Sequence, residues 1–341
     1  MRKSHWPLLF LLISGLLLQG LFCTAQAAGE SEPYPSFPPV MTLDGLVDMY
    51  TDARGSVVDQ AAENKNKDLC AGVDKFMGYL AKTLDNPNAK PGDPMSDCAY
   101  ANFHKWAEAG ALTVEPKVYN RGGTMKRGQY LVGLNIYALK FRAAGYDIDP
   151  MILSWLRNLN YKNMNYYQHG SNRGNLYNWS GASTALFALL DNDQKAIDYQ
   201  NQVWRVAMSS IKPDGTIDGE MARGHRALIY HMFSFSATLV QRGAREALGY
   251  KESAADRDQL QLLADEIGRT LRDPKVMEIP AQATQEIPGI WAYRIPIGFG
   301  HDLLNDDWIH YGKMQVDLSD QASGGNTQHT SNILKQLSQK H

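Results

Sequence analysis

The sequence lacks the signatures of several common enzyme classes. It has three cysteines in 341 residues, and neither an HExxH segment nor a Cys–His spacing that suits a metal occurs in it. It also lacks a GxSxG segment and a convincing Cys–His pair, so acyl transfer through a nucleophilic serine or cysteine is not indicated. Strand-like alternation of apolar and polar residues is nearly absent. These absences predict a helical protein that needs no metal and no other cofactor.

A long apolar run occurs at the N-terminus and nowhere else. Arg2 and Lys3 precede an apolar stretch over residues 7–22, and small residues at 25–27 fit a cleavage site. The stretch is short for a bilayer span, and bulky residues before Cys23 disfavour a lipid anchor. We therefore predict a signal peptide over 1–27, no membrane anchor after its cleavage, and a periplasmic or secreted protein.

A strong charge of one sign is also missing. The 34 basic and 36 acidic residues give a net charge of −2, and loss of Arg2 and Lys3 with the leader makes it about −4. Without a basic excess we predict no nucleic-acid partner. Cys70 and Cys98 are the cysteines left after cleavage. They form either one disulfide or two buried thiols, and the sequence leaves both open.

Apolar residues recur at helical spacing through most of the chain. Leu131, Leu134, Ala138 and Phe141 follow three- and four-residue steps, and Thr124 is the predicted N-cap of their helix. The same spacing occurs in 72–84, 151–159, 179–190, 199–211, 225–243 and 258–271. Turn signals between these segments predict short loops that join antiparallel helices. We predict an all-α fold, an α/α toroid of helical hairpins around a central cleft.

Composition divides the chain into four parts. The leader precedes a Pro- and Ser-rich stretch at 28–41, which we predict to be an extended lead-in. The helical pattern predicts a single toroid domain over 42–315. A Gly- and Ser-bearing stretch at 319–329 breaks the pattern, so we predict a flexible tail with a short helix over 316–341.

The segment EMARGHRALIYH, residues 220–231, carries a polar stripe on a predicted helix. At about 100° per residue, Arg223, Arg226 and Tyr230 fall on one side, and His225 points away from them. A purely structural helix would normally bury Leu and Ala there. The stripe therefore indicates a binding partner, and a solvated face is the alternative.

Carboxylates in KPDGTIDGE suggest a different chemistry. Asp214, Asp218 and Glu220 are the candidates for the acid and base of an inverting glycoside hydrolase. However, PDG is a common turn, and acidic residues at 218–220 suit the N-terminus of a helix, where they complement its dipole. The hydrolase is therefore the third choice.

Two segments carry a resemblance to a known family. RGNLYNW at 173–179 and EMARGHRALIYH at 220–231 resemble the RNNHxYW and ELxRGxRALxYH segments of the alginate lyases, the poly(β-D-mannuronate) lyase family, at the same separation. Weaker similarity covers most of residues 45–245. The resemblance implies an α/α toroid that cleaves a polyuronate by β-elimination. It also implies that Asn175 and Arg223 neutralise the uronate carboxylate and that Tyr230 is acid and base.

The histidine that assists catalysis in the family is replaced by Leu176. The resemblance therefore implies a divergent member. We hypothesise that it is confined to syn elimination from β-D-mannuronate or β-D-glucuronate chains, because guluronate is inverted at C5. A tyrosine base must be a phenolate, and we expect Arg223 and Arg226 to favour that form of Tyr230. His169 is a candidate to supply an imidazole from another backbone position.

Further residues near the first segment are predicted to bind substrate. Trp179 shares a helical face with Asn175 and would offer its ring to a sugar, with core packing as the alternative. Arg173 would pair with a neighbouring uronate, and Tyr167 is a further groove candidate.

The leading hypothesis is a cofactor-free lyase whose partner is an acidic polysaccharide, polymannuronate, alginate or glucuronan. The missing histidine motivates the alternative, a non-catalytic polyuronate-binding or biosynthesis-associated protein on a lyase scaffold.

Overall fold

Helices make up most of the computed structural model, which describes residues 34–116, 121–169, 174–308 and 317–339. The helices are α1 Gln60–Leu84, α2 Pro94–Glu108, α3 Arg121–Ala143, α4 Pro150–Gln168, α5 Asn175–Asp191, α6 Gln194–Ser210, α7 Asp218–Met221, α8 Ala227–Ala247, α9 Ala254–Arg272, α10 Lys275–Ala281, α11 Arg294–Phe299 and α12 Thr327–Ser338. Single 3₁₀ turns lie at Gly224–Arg226, Ile290–Tyr293 and Gln321–Ser323, and strands β1 Ser319–Asp320 and β2 Gly325–Asn326 pair antiparallel.

Local sequence sets where many of these helices begin. Asp59, Asp93, Asp149, Asp193 and Ser253 each accept a hydrogen bond from a backbone N–H of the first helical turn. Such N-caps satisfy donors that have no partner inside the helix. A proline at the first helical position strengthens the start of α2 and of α4, because its fixed φ suits that place.

Helix α5 lies at the centre of the molecule and packs against α3, α4, α6 and α8. Small residues allow the close approach: a Cβ added at Gly181 would lie 2.4 Å from a side-chain carbon of Val203 on α6. The main core joins α1 to α9, and a smaller core cluster forms between α4, α5 and α6. This packing fixes the N-terminal ends of α5 and α8 close to each other.

The C-terminal segment is part of the core, which differs from the predicted flexible tail. Thr327, Ile333 and Leu334 of α12 are buried. The backbone N–H of Asn326 donates to Asp85 of α1 over 2.7 Å, where the buried ammonium of Lys140 on α3 donates as well, over 2.5 Å. The polar residues of this segment form hydrogen bonds with residues far away in the chain. The composition of the segment does not show such partners.

The structure also bears on the predictions for Thr124, the two cysteines and the N-terminal leader. Thr124 lies inside α3, because that helix already begins at Arg121. No disulfide joins Cys70 to Cys98, and both side chains are buried. The predicted signal peptide at 1–27 lies outside the described residues. Within the described part of the chain, no helix combines the length and the apolar character that a membrane span requires.

Candidate active site

A cleft of about 1060 Å³ opens beside the N-terminal ends of α3, α5 and α7. Its walls come from the segment 46–55 that precedes α1, from one face of α1, and from the turn between α6 and α7. Tyr50, Asn175, Glu220 and Arg223 lie together among its lining residues. Two of the predicted catalytic residues therefore share one cavity wall.

The segment 220–231 is not one helix, which corrects the sequence prediction. Helix α7 ends at Met221, Gly224 adopts a left-handed φ of +57°, and α8 begins at Ala227. Glycine is the residue that takes this conformation without strain. Arg223 therefore reaches Tyr230 across a turn, not along a helical face.

Two arginines and two tyrosines form what we call the Arg–Tyr cluster: Tyr50, Arg223, Arg226 and Tyr230. The hydroxyls of Tyr50 and Tyr230 are 2.6 Å apart, and Arg226 Nη1 donates to the Tyr50 hydroxyl over 3.1 Å. The guanidinium carbon of Arg223 lies 3.8 Å from the ring centroid of Tyr230. Since Tyr50 accepts from Arg226, its own proton is available to Tyr230. The cluster thus places two guanidinium groups and a second hydroxyl around the Tyr230 phenol.

Arg223 is held on its other side by the segment that carries Tyr50. Its Nη1 donates to the carbonyl of Arg54 over 2.8 Å, and a Cβ at Gly55 would lie 2.6 Å from the same nitrogen. Gly55 has a φ of +65°, so glycine serves both the turn and the close approach. The guanidinium is therefore sandwiched between this backbone and the Tyr230 ring.

Tyr230 is a neutral phenol in this environment. It is 5 % exposed. Burial raises the pKa of Tyr230 well above its ordinary value, and the contact with Tyr50 adds to the rise, whereas Arg223 and Arg226 lower it. Arg223 and Arg226 favour the phenolate, as predicted, but burial outweighs them and keeps the phenol form.

Glu220 holds Asn175 in place, a role that the sequence did not suggest. The carboxylate is 2 % exposed and accepts from the Asn175 backbone N–H over 2.7 Å, from its side-chain Nδ2 over 3.3 Å and from the Ser234 hydroxyl over 2.8 Å. It thereby caps α5, whose N-cap Gly174 has no side chain to do so. Burial raises the pKa of Glu220 above its ordinary value, against these donors, which lower it.

Sequence comparison decides the family to which this site belongs. The family model described as Alginate lyase matches residues 103–276, slightly more than half of the 341 residues. The chain belongs to the alginate lyase family. It is a polysaccharide lyase, as predicted, and the match includes the segments of Asn175, Arg223 and Tyr230.

Two relatives that this chain resembles are also lyases. This lyase is 26 % identical over 265 residues to a polysaccharide lyase of Stenotrophomonas maltophilia (strain K279a), across 76 % of this chain and 78 % of that protein. It is 24 % identical over 235 residues to an alginate lyase of Pseudomonas syringae pv. syringae (strain B728a), across 65 % of this chain and 59 % of the relative.

The fold prediction is confirmed by a solved neighbour. Alginate lyase A1-III of Sphingomonas species A1, solved with a tetrasaccharide in a tyrosine-to-phenylalanine variant, matches with a TM-score of 0.68 and 16 % identity. The match covers 89 % of this chain and 85 % of that one. The mostly helical chain and this likeness establish the all-α toroid.

The structure also describes the sequence candidates Leu176, Trp179, Tyr167 and His169 of this lyase. Leu176 lines the cleft, so an apolar side chain stands where the family has a histidine. Trp179 is half-buried and packs against the main core. Tyr167 is 4 % exposed within the smaller core cluster, which corrects its prediction as a groove residue. His169 is exposed and its Nδ1 bonds to its own helix at the Asn165 carbonyl. Arg173 lies outside the described residues.

The carboxylates proposed for hydrolysis have structural partners in this lyase. Asp214 accepts from the backbone N–H and hydroxyl of Thr216 and closes the turn. Asp218 is exposed and pairs with Lys212. Asp218 and Glu220 lie in the first turn of α7, as predicted, and Glu220 also caps α5 through Asn175. No acid–base pair for hydrolysis arises from these three.

His231 joins α8 to the residue that precedes α7, and its burial predicts a pH dependence of stability. It is fully buried, Nδ1 donates to the Ala227 carbonyl, and Nε2 accepts from the Ile217 N–H over 2.9 Å. Burial lowers the pKa of His231 to about 4. The unfolded chain takes up this proton near pH 6.5, so stability is complete above pH 6.5 and falls as the pH drops towards 4. We expect a loss on the order of 3 kcal/mol over this interval.

Urea unfolding at a series of pH values measures this loss. In His231→Gln the amide oxygen replaces the Nε2 acceptor without titrating, so the loss between pH 6.5 and 4 should be smaller by the histidine's share. His225→Gln is the matched control, since His225 is exposed. Equal pH profiles for all three proteins would contradict the assignment.

Proposed function

We propose that the protein cleaves a β-1,4-linked polyuronate, either polymannuronate (alginate) or glucuronan, by syn β-elimination. The observation that carries the proposal is that Tyr50, Asn175 and Arg223 line one cleft and that both Tyr50 and Arg223 contact the buried Tyr230. Charge neutralisation and a proton carrier are what this reaction requires. Both are present within one cluster of side chains.

Arg223 and Asn175 are the groups we assign to the uronate carboxylate. The C5 proton is very weakly acidic while that carboxylate is fully charged, so the reaction needs stabilisation of the enolate-like anion that develops. Charge-assisted hydrogen bonds aimed at such an anion are the usual means. Glu220 binds one side of the Asn175 amide, which fixes the direction in which the second Nδ2 hydrogen points.

Tyr230 is the residue we assign to both proton transfers. Because its pKa is raised, the resting phenol is neutral. In a syn elimination the C5 proton and the O4 leaving group lie on one side of the ring. The phenol gives its proton to O4 as the bond to O4 breaks, and the phenolate oxygen that this leaves takes the proton from C5, so that the tyrosine ends in its starting form. Arg223 above the ring stabilises negative charge on that oxygen meanwhile.

Substrate must displace the Tyr50 hydroxyl to reach the Tyr230 oxygen. The two hydroxyls are hydrogen-bonded to each other, and the Arg223 guanidinium lies over the Tyr230 ring. We propose that the segment from Met49 to Asp59, closed on itself by the Tyr50–Val58 bridge, shifts when the polymer enters.

Ultraviolet absorbance of the unsaturated uronate product tests the proposal. The protein is incubated with polymannuronate, polyguluronate, glucuronan and pectate in parallel. A rise in absorbance on polymannuronate or glucuronan is the expected result. Absence of product on all four polymers would refute the proposed substrate.

Leu176 predicts a strict preference among these polymers. Guluronate places its C5 proton on the other side of the ring, where Leu176 offers no proton acceptor. Since an acid–base group contributes about a hundredfold or more, we expect polyguluronate to be cleaved at least about a hundredfold more slowly than polymannuronate. Initial rates at equal uronate concentration measure this ratio. Similar rates on the two polymers would contradict it.

The predicted signal peptide completes the proposal. We propose that the mature enzyme meets its acidic polysaccharide in the periplasm or outside the cell, since a leader of this kind directs export. Mass spectrometry of the N-terminus of the protein recovered from the culture medium and the periplasm tests this.

A further inference from the structure

A row of aromatic rings leads away from the reaction centre to the surface. The ring centroids of Tyr230 and Phe233 are 5.6 Å apart in an edge-to-face arrangement, and those of Phe233 and Trp291 are 5.4 Å apart with planes 30° from parallel. Tyr230 is buried, Phe233 is half-buried, and Trp291 is 42 % exposed. The row therefore ends in an indole that faces solvent.

The segment that carries Trp291 is attached to the catalytic segment. The Glu286 backbone N–H donates to the His225 carbonyl over 2.8 Å, and the Glu286 carboxylate pairs with Arg226 at 3.1 Å. Gln285 donates to the Gly224 carbonyl over 3.0 Å. These bonds join residues 285–286, a few positions before Trp291, to the turn beside Arg223.

The indole itself is restrained. A Cβ at Gly289 would lie 3.0 Å from its Nε1, so glycine lets the backbone approach the edge of the ring. Phe233 covers one face of it. A rigid, half-exposed aromatic ring needs little ordering when it binds a ligand, which is the property of an aromatic binding residue.

We propose that Trp291 is a sugar-binding platform for a pyranose residue of the polysaccharide beyond the cleaved bond. The exposed ring face carries partial negative charge, so it favours the C–H face of a pyranose and disfavours a carboxylate. The Trp291 platform would therefore bind the C–H face of a sugar ring, whereas Arg223 and Asn175 bind the uronate carboxylate. The proposal rests on the proposed function for the identity of the polymer. Trp291 lies beyond residue 276, where the match to the family model ends.

Binding and cleavage are measured separately, so that the platform and the lyase activity are tested independently. Affinity for polymannuronate and glucuronan oligosaccharides of increasing length is measured by calorimetry in the Tyr230→Phe protein, with and without Trp291→Ala. Steady-state cleavage is measured in the otherwise unsubstituted enzyme. Ile290→Ala is the matched control, because Ile290 is a neighbouring exposed apolar residue at 47 % exposure, outside the aromatic row.

We expect Trp291→Ala to weaken binding of long oligosaccharides about three- to tenfold, the contribution typical of one aromatic contact. It should raise KM by the same factor and leave kcat unchanged. Oligosaccharides too short to reach the platform should bind equally with and without Trp291, and Trp291→Phe should restore part of the affinity.

Each outcome decides one of the two proposals. Cleavage by the enzyme with equal affinities for Trp291→Ala and Ile290→Ala would overturn the platform and leave the lyase proposal standing. Trp291-dependent binding without product from any polymer would support the platform and refute the substrate assignment. Binding that is lost equally for short and long oligosaccharides would show a folding defect of the segment and would also overturn the platform.

Discussion

Replacing Tyr230 by phenylalanine is expected to lower kcat about 10²- to 10⁴-fold, the range of a positioned acid–base group. The change removes one oxygen, which is the atom that we assign to both proton transfers. The ring stays, so its contacts with Arg223 and Phe233 remain. KM should therefore change little, because substrate binding does not use the hydroxyl. Initial rates and KM on polymannuronate or glucuronan, followed by absorbance of the unsaturated product, give both quantities.

The control for this variant removes a tyrosine hydroxyl elsewhere. Tyr146→Phe loses a hydrogen bond of 2.7 Å between the loop that follows α3 and Asp97 of α2, and neither residue lines the cleft. Activity should stay at the level of the unsubstituted enzyme. A Tyr230→Phe enzyme that keeps this level too would remove Tyr230 from the chemistry. Thermal unfolding checks that both variants fold, since each loses a bond worth about 1 kcal/mol.

Replacing Asp85 by alanine is expected to lower the free energy of unfolding by about 3–5 kcal/mol. The variant leaves the ammonium of Lys140 buried without its carboxylate, and it also removes the acceptor for Asn326 and His329 at the start of α12. Burial opposes ionisation of Asp85, but His329 and Lys140 outweigh it and hold the pKa of Asp85 below its ordinary value. The stabilisation is thus present above the carboxylate's ordinary pKa and is lost in acid.

Urea unfolding at neutral pH measures the effect as a change in midpoint at constant slope. Adding Lys140→Met to Asp85→Ala should recover part of the loss, because the unpaired buried charge is then gone. Glu63→Ala is the control: it breaks the exposed pair with Lys67 and should cost less than about 1 kcal/mol. Equal losses for Asp85→Ala and Glu63→Ala would show that the buried pair does not anchor the C-terminal segment.

Helical periodicity is a local property, so the sequence by itself indicated where most of the helices lie and which fold class they form. The family segments likewise named Asn175, Arg223 and Tyr230 by position. The substrate-binding predictions were less successful. The position of Tyr167 close to the motif predicts a groove residue, whereas packing between α4, α5 and α6 buries it.

The tertiary structure decided the contacts that join distant parts of the chain. Tyr50 meets Tyr230 across 180 positions, Glu220 meets Asn175 across 45, and Asp85 meets Asn326 across 241. No periodicity or motif encodes such partners, because each pair becomes close only when the helices pack.

Burial of the site residues is likewise a property of the tertiary structure and not of the sequence alone. The charges of Arg223 and Arg226 are visible in the sequence and predict the direction of their effect on Tyr230. The loss of water around the phenol, which outweighs them, is a property of the packed molecule. The sequence therefore determined the helical fold class and the residue types of the site. The tertiary structure decided their partners and protonation states, since desolvation and long-range contacts exist only in the folded chain.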